Sequence, residues 1–195
     1  FEEAWLDEGM NSYLESRIVD DAYGDGGVID LGPLRISDTE FQRMSYVSLA
    51  PSRGALYTRS WEYTMGDYGK ASYAKPATVM NTLERWWGWE MQQRFLKAYY
   101  DTWRFRHPTT RDVQDVAESV SGEDLDWFFD QFVYGTAVVD YELSSIATTR
   151  LEDHLYRSRI RVHRKQDAIF PQELQVRFSN DSTAVIQWEI GRAHV

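Results

Sequence analysis

This sequence is best interpreted outward from the stretch Ala4-Trp-Leu-Asp-Glu-Gly-Met-Asn-Ser-Tyr13. Apolar residues recur at three- and four-residue steps, and this spacing predicts an amphipathic helix over residues 2–19. Glu8 lies on the helix, and most of its neighbours three and four positions away are small. They leave room for another group to approach the carboxylate, although most helical glutamates are simply solvated charges.

Helical periodicity continues through the first 135 residues. The glycine-rich segment 22–33 is predicted to be a loop because it carries the string Tyr-Gly-Asp-Gly-Gly. A phosphate-binding loop is excluded here, since the segment lacks the Gly-Lys-Ser/Thr ending. Further helices are predicted over residues 39–49, 75–89 and 91–102.

Two helix starts are predicted from capping residues. Thr109 and Asp112 have the spacing of a capping box, and the string Ser121-Gly-Glu-Asp124 repeats that spacing. The residues that follow place apolar side chains at i, i+3, i+4, i+7 and i+8. This pattern predicts a buried stripe formed by Leu125, Phe128, Phe129, Phe132 and Val133.

The apolar period changes to two near residues 135–140, where we expect a domain boundary. Residues 156–163 and 174–178 alternate between inward and outward positions and predict half-buried strands of an antiparallel sheet. The outward positions of 157–163 carry three arginines and a histidine. This stripe is either a polyanion-binding surface or the solvated face of the sheet.

Composition narrows the class of protein. The 195 residues are 43% hydrophobic and 15% aromatic, which is enough to bury a core and argues against disorder. There is no cysteine, so disulfides, thiolate catalysis and cysteine-bound zinc are excluded. Residues 1–135 hold 23 acidic and 13 basic side chains, whereas residues 136–195 hold eight of each. The acidic first part disfavours nucleic acid as a partner and is compatible with cationic groups such as peptide amino termini.

The stretch around Glu8 resembles the third-zinc-ligand segment of the aminopeptidase N family of zinc metallopeptidases, the gluzincins. In that family, His-Glu-x-x-His on one helix and a glutamate in a Trp-Leu-Asn/Asp-Glu-Gly string on the next hold one zinc ion. The resemblance implies that Glu8 is a metal ligand and that Asp7 supports it.

A second resemblance lies 65 residues after Glu8. The string Ala71-Ser-Tyr-Ala-Lys-Pro-Ala77 is similar to the family's Ser-Tyr-x-Lys-Gly/Pro string, whose tyrosine stabilises the oxyanion. Tyr73 matches that tyrosine, and Tyr68 corresponds to a second active-site tyrosine of some members.

The resemblance implies an α+β fold. Residues 1–135 would form the mainly helical, C-terminal half of a thermolysin-like catalytic domain, and residues 136–188 the start of an antiparallel β-sandwich domain. The implied activity is the zinc-dependent removal of N-terminal residues from peptides. No His-Glu-x-x-His string occurs in the sequence, and its four histidines all follow Glu8. We therefore expect a fragment that binds zinc poorly and hydrolyses nothing alone.

Other hypotheses stay open. The full-length protein from which this fragment is expected to come is either an active enzyme or a degenerate family member that serves as a binding or structural module. The chain could also be a helical scaffold unrelated to the family. The enzyme hypothesis predicts that Glu8 and Tyr73 face one cavity.

Residues 189–195 can be encoded by GAG ATC GGA AGA GCA CAC GTC, which resembles a sequencing-library adapter, so we expect a non-native tail. A periplasmic or secreted location is expected over a cytoplasmic one, because many compact family members are exported. No segment is apolar enough to suggest a membrane span, and the oligomeric state is not predicted.

Overall fold

The computed structural model describes residues 2–48 and 54–188; the predicted non-native tail lies outside this part of the chain. The chain divides between Thr136 and Ala137 into two compact units, the first helical and the second made of strands. The fold class is α+β, as the sequence predicts. No helix in the described part is both long enough and apolar enough to cross a bilayer.

Seven α-helices account for most of the described residues of the first unit. Their bounds are α1, Glu8–Tyr23; α2, Asp38–Ser48; α3, Met65–Gly69; α4, Lys75–Trp87; α5, Trp89–Trp103; α6, Thr110–Ser121; and α7, Asp126–Phe132. Single 3-10 turns span Ala4–Leu6, Gly24–Gly26 and Ser60–Glu62, and a π-helical turn spans Lys70–Ala74. The core lies between these helices, and its largest buried apolar side chains include Trp5, Tyr13, Leu56, Leu83, Phe95 and Phe128.

The first predicted helix is divided in the structure. The 3-10 turn at Ala4–Leu6 precedes α1, so Glu8 is the first residue of α1 and not an interior residue. At the other end α1 runs to Tyr23, beyond the predicted end, and stops at Gly24, whose φ of 66° is accessible to glycine at little cost.

The prediction of a plain loop over residues 22–33 is wrong in part. Strands β1 (Ile29–Leu31) and β2 (Leu34–Ile36) form an antiparallel hairpin, with Ile29 opposite Ile36. Gly32 in the turn has a φ of 74°. Each strand has only three residues, which is too short to show a two-residue period in the sequence.

One of the two predicted capping boxes is confirmed. Thr109 caps α6: its side chain accepts from the Asp112 N–H while the Asp112 carboxylate accepts from the Thr109 N–H. The second is wrong, because Ser121 ends α6 and the left-handed Gly122 terminates that helix. An Asp124 oxygen accepts instead from the Asp126 N–H at 2.9 Å, where α7 starts. The predicted apolar stripe is confirmed, since all five of its residues are buried.

The second unit contains two separate antiparallel hairpins. One joins β3 (Tyr141–Glu152) to β4 (Leu155–Arg164), and the other joins β5 (Gln172–Arg177) to β6 (Thr183–Trp188). The alternation of β5 is as predicted, with every second residue half-buried, but the prediction is wrong for Phe178, which follows the strand and is 50% exposed. The prediction for β4 is wrong towards its start, where Tyr156 is 58% exposed. Ile160 and Val162 are the half-buried residues of that strand. The β-sandwich stays a prediction.

Candidate functional site

Contacts with the start of α6 fix the position at which α1 begins. The indole N–H of Trp5, which is buried, donates to the Thr110 hydroxyl oxygen at 2.9 Å. The Glu3 carboxylate accepts from the Thr110 N–H at 2.8 Å and also from its hydroxyl. Since Glu3 precedes the 3-10 turn and Trp5 lies in its middle, these bonds fix the turn that places Glu8 at the first position of α1.

Gly9 lets α1 approach the start of α4 closely. A Cβ atom on Gly9 would lie 2.4 Å from Cγ of Pro76 and 3.1 Å from the carbonyl oxygen of Ser72. The proline ring is tied to the backbone of α4 and cannot move aside as a flexible side chain could. A residue without a side chain is therefore required here, and the close contact brings Glu8 to the turn that carries Tyr73.

The turn that carries Tyr73 is π-helical. The Lys75 N–H donates to the Lys70 carbonyl, five residues back, so Lys70–Ala74 form one widened turn. The turn follows α3 directly, and Tyr68 in α3 is five residues before Tyr73. Their rings pack edge to face with centroids 6.5 Å apart, and the Tyr63 ring packs against Tyr68 in the same way at 6.1 Å. We call these three residues the tyrosine ladder.

Glu8 and Tyr73 meet across the contact between α1 and the π turn. The Tyr73 hydroxyl donates to the Glu8 carboxylate. This bond, followed by partial desolvation and by the charge of Glu8, raises the pKa of Tyr73 to about 12. Tyr73 is therefore protonated, and able to donate, throughout the neutral range. Its ring is 36% exposed, so the hydroxyl is within reach of a ligand, and Glu8 is half-buried.

The other two predicted site residues lie near this pair. Tyr68 contacts Tyr73 through the ladder. Asp7 is exposed at the N-cap position of α1, where its carboxylate accepts from Asn11 at 3.4 Å, and its negative charge contributes to the raised pKa of Tyr73. The structure thus gathers all four residues at one junction.

A groove of about 690 Å³ opens beside the start of α1. Apolar side chains from α1 and α5 line it, among them Met10 and Trp103, and His107 lies at its edge. Asp7 lines this groove, whereas Glu8 and Tyr73 are not among its lining residues. Glu8 and Tyr73 interact directly, and the expectation that both face one cavity stays a prediction.

A group that the sequence does not mark as a metal site lies on α6, at the start of α7 and in the segment between them. Potential ligand atoms of Glu118, Asp124 and Asp126 are within 4.8 Å of one another. Two of the carboxylates already have partners, because the buried Gln114 donates to Glu118 at 2.9 Å and to Asp126 at 2.7 Å. Arg111 also approaches both, at 3.9 and 3.8 Å. These contacts explain the cluster as a polar network at the surface, in which Asp124 and Asp126 are exposed.

Lys75 is a functional candidate that sequence reasoning missed. The quoted tyrosine string contains it, but its side chain is only 1% exposed, and a lysine offers no sequence signal that it will be buried. Its ammonium group donates to the carbonyl oxygens of Gly54 and Gly135, at 3.1 and 3.2 Å. Burial lowers the pKa of Lys75 to about 8.

The family model for the Peptidase family M1 domain matches residues 1–132. The chain therefore belongs to peptidase family M1, a family that is generally zinc-dependent. The match covers almost all of the helical unit and none of the strand unit. Comparison with curated proteins and with solved structures gave no match. The predicted membership of a metallopeptidase family is confirmed at this level.

Proposed function

We propose that this chain contributes half of the catalytic centre of a zinc-dependent aminopeptidase, with Glu8 as a zinc ligand and Tyr73 as the hydrogen-bond donor to the oxyanion. The observation that carries the proposal is the contact between these two side chains. They are 65 positions apart in the sequence, and α1 and the π turn bring them together.

The Glu8 carboxylate suits a place in a zinc ligand set. It is half-buried, and the close packing of Gly9 against Pro76 holds it beside the π turn. A carboxylate offers about four lone-pair positions, so accepting one bond from Tyr73 leaves others for a cation. Catalytic zinc sites use about three protein ligands, and the described residues place no histidine in a metal-binding group with Glu8.

Bound zinc would supply a water molecule of lowered pKa and would polarise the scissile carbonyl. The contribution of this chain is the Tyr73 hydroxyl, which stays protonated because its pKa is about 12. When a substrate oxygen gains negative charge, Tyr73 can exchange its bond to Glu8 for one to that oxygen. Removing one such donor typically lowers transition-state stabilisation by about 2.7–4 kcal/mol.

The missing parts belong, on this proposal, to a longer protein. A His-Glu-x-x-His helix would supply two zinc ligands and the general base, and a further glutamate would bind the substrate's free amino group. The substrates would be peptides with a free amino terminus, and the enzyme would be periplasmic or secreted.

The proposal is tested at two levels. The 195-residue chain should show no turnover of an aminoacyl-anilide and only weak zinc binding by calorimetry. In a longer protein that includes the histidine pair, Glu8→Gln should lose zinc. Tyr73→Phe should retain zinc and lose about 10²–10³-fold in kcat. Tyr100→Phe, an exposed tyrosine of α5, is the matched control and should change neither.

Two results would count against the proposal. Full activity of Tyr73→Phe would remove Tyr73 from the chemistry, and turnover by the 195-residue chain alone would show that the site is not shared. A longer protein that binds no zinc would favour the degenerate, non-catalytic member of the family.

A further inference from the structure

We infer that Lys75 is a positioning residue for Tyr73: it ties two distant segments of the helical unit to the π turn and so holds the tyrosine against Glu8. This inference rests on the proposed role of Tyr73. It concerns a side chain that touches neither Glu8 nor the Tyr73 hydroxyl in the described contacts, and that acts through the backbone and the tyrosine ladder.

Removing the charged Lys75 side chain from water is energetically unfavourable and needs an explanation. A lysine is almost never fully buried unless it is paired, and this one is 1% exposed. Among the described residues, its two hydrogen-bond partners are uncharged carbonyls, and burial accounts for its lowered pKa. A methionine of similar length would fill the same space without removing a charge from water. Stability alone therefore does not explain an ammonium group at this position.

What the ammonium group does is connect segments that are far apart in sequence. Gly54 precedes it by 21 residues and Gly135, just after α7, follows it by 60. The two segments also contact each other, since the Tyr57 N–H donates to the Val133 carbonyl at 3.2 Å. Lys75 thus lies at the point where both meet the start of α4.

The same residue also closes the π turn. The Lys75 N–H donates to the Lys70 carbonyl five residues earlier, so the backbone of Lys75 sets the width of the turn. Its side chain anchors the same turn to the two distant segments. If the anchor is lost, the turn can tighten to α-helical geometry. Dropping one residue from a helical turn rotates the residues before it by roughly 100°. Tyr73 would then leave the face it shares with Tyr68, and its contact with Glu8 would be broken.

The tyrosine ladder provides a second connection between Lys75 and Tyr73. The Tyr63 hydroxyl donates to the Ala55 carbonyl at 2.5 Å, in the segment that Lys75 holds through Gly54. That segment packs directly on the ladder, because a Cβ atom on Gly54 would lie 2.7 Å from the Tyr63 ring. From Tyr63 the edge-to-face contacts continue through Tyr68 to Tyr73. The position of Tyr73 therefore depends on the segment that Lys75 holds.

The test uses the 195-residue chain, whose mass of 22.9 kDa is suitable for NMR. Lys75→Met keeps the length and bulk of the side chain and removes its donors. Lys97→Met, an exposed lysine of α5, is the matched control. The readouts are the nuclear Overhauser contacts between the Tyr68 and Tyr73 rings and the χ1 coupling of Tyr73. We expect Lys75→Met to lose the ring contacts and change the χ1 rotamer, and Lys97→Met to retain both.

A second variant keeps the test decisive if Lys75→Met does not fold. Tyr63→Phe removes only the hydroxyl that fixes the ladder to Ala55, and it should weaken the Tyr68–Tyr73 contacts at least twofold. Unchanged contacts in a folded Lys75→Met, or in Tyr63→Phe when the first variant is unfolded, would overturn the inference. These readouts need neither metal nor substrate. A failure here would therefore leave the proposed function standing, and a failure of Tyr73→Phe to lower kcat would not alter these contacts.

Discussion

The stability of the helical unit should depend on pH through Lys75. The pKa of this lysine is about 8 in the folded chain, against an ordinary value of 10.5. Between these two values the unfolded chain carries the proton and the folded chain does not. Stability rises with pH wherever the unfolded state binds more protons, so the free energy of unfolding should increase from pH 8 towards pH 10.5.

The size of the effect follows from the pKa difference. Each pKa unit corresponds to about 1.36 kcal/mol, so the shift is worth roughly 3 kcal/mol in all, and most of it is reached by pH 10. Below pH 8 both states are protonated and the unfavourable burial is present in full. Buried tyrosines such as Tyr63, whose pKa is raised to about 12, act in the opposite direction above pH 10. The measurement should therefore cover pH 7 to 10.

The assay is urea unfolding followed by tryptophan fluorescence, in wild type, Lys75→Met and Lys97→Met. Wild type and Lys97→Met should both gain about 2–3 kcal/mol relative to Lys75→Met between pH 7 and pH 10. Taking differences between variants removes the contributions of tyrosines and other shared groups. Parallel profiles for wild type and Lys75→Met would show that Lys75 is not an uncompensated buried cation, and the account of its burial would be wrong.

Three further outcomes are expected. Gly9→Ala should destabilise the chain by about 1–3 kcal/mol in urea unfolding, because the new methyl group would overlap the Pro76 ring; a neutral result would mean that α1 does not lie this close to α4. Thr109→Ala should lower stability by about 1 kcal/mol through loss of the helix cap, as measured by thermal unfolding, with Thr109→Ser near wild type as the control. Glu84→Gln should lower the melting temperature, since Glu84 is mostly buried and is the ion-pair partner of Arg17; an unchanged melting temperature would show that this pair contributes nothing.

The local pattern was enough to predict several elements of this fold. The Thr109 cap and the apolar stripe of α7 depend on side chains only a few positions apart, so their spacing in the sequence carries the information. The hairpin β1–β2 was missed because three-residue strands show no usable period. The second capping box was wrong because Gly122 ended α6 where Ser121 was expected to start α7.

The contact between Glu8 and Tyr73 shows what the sequence determines and what the tertiary structure determines. The sequence by itself determined which two side chains to compare, because each stands in a recognisable string. Their actual contact depends on the close packing that Gly9 allows against Pro76 and on the width of the π turn. Neither property is visible in a linear pattern. The first is a contact between residues 67 positions apart, and the second is anchored by Lys75 to residues 21 and 60 positions away.

Lys75 is a residue whose role the tertiary structure reveals and the sequence does not. In the sequence it is one of 21 basic residues, and composition would place it in solvent. Only the tertiary structure buries it, because its carbonyl partners are supplied by segments 21 residues before it and 60 residues after it. Local spacing therefore determined the helices, and the resemblance of two strings to a known family named the site residues. The long-range packing decided how those residues are held.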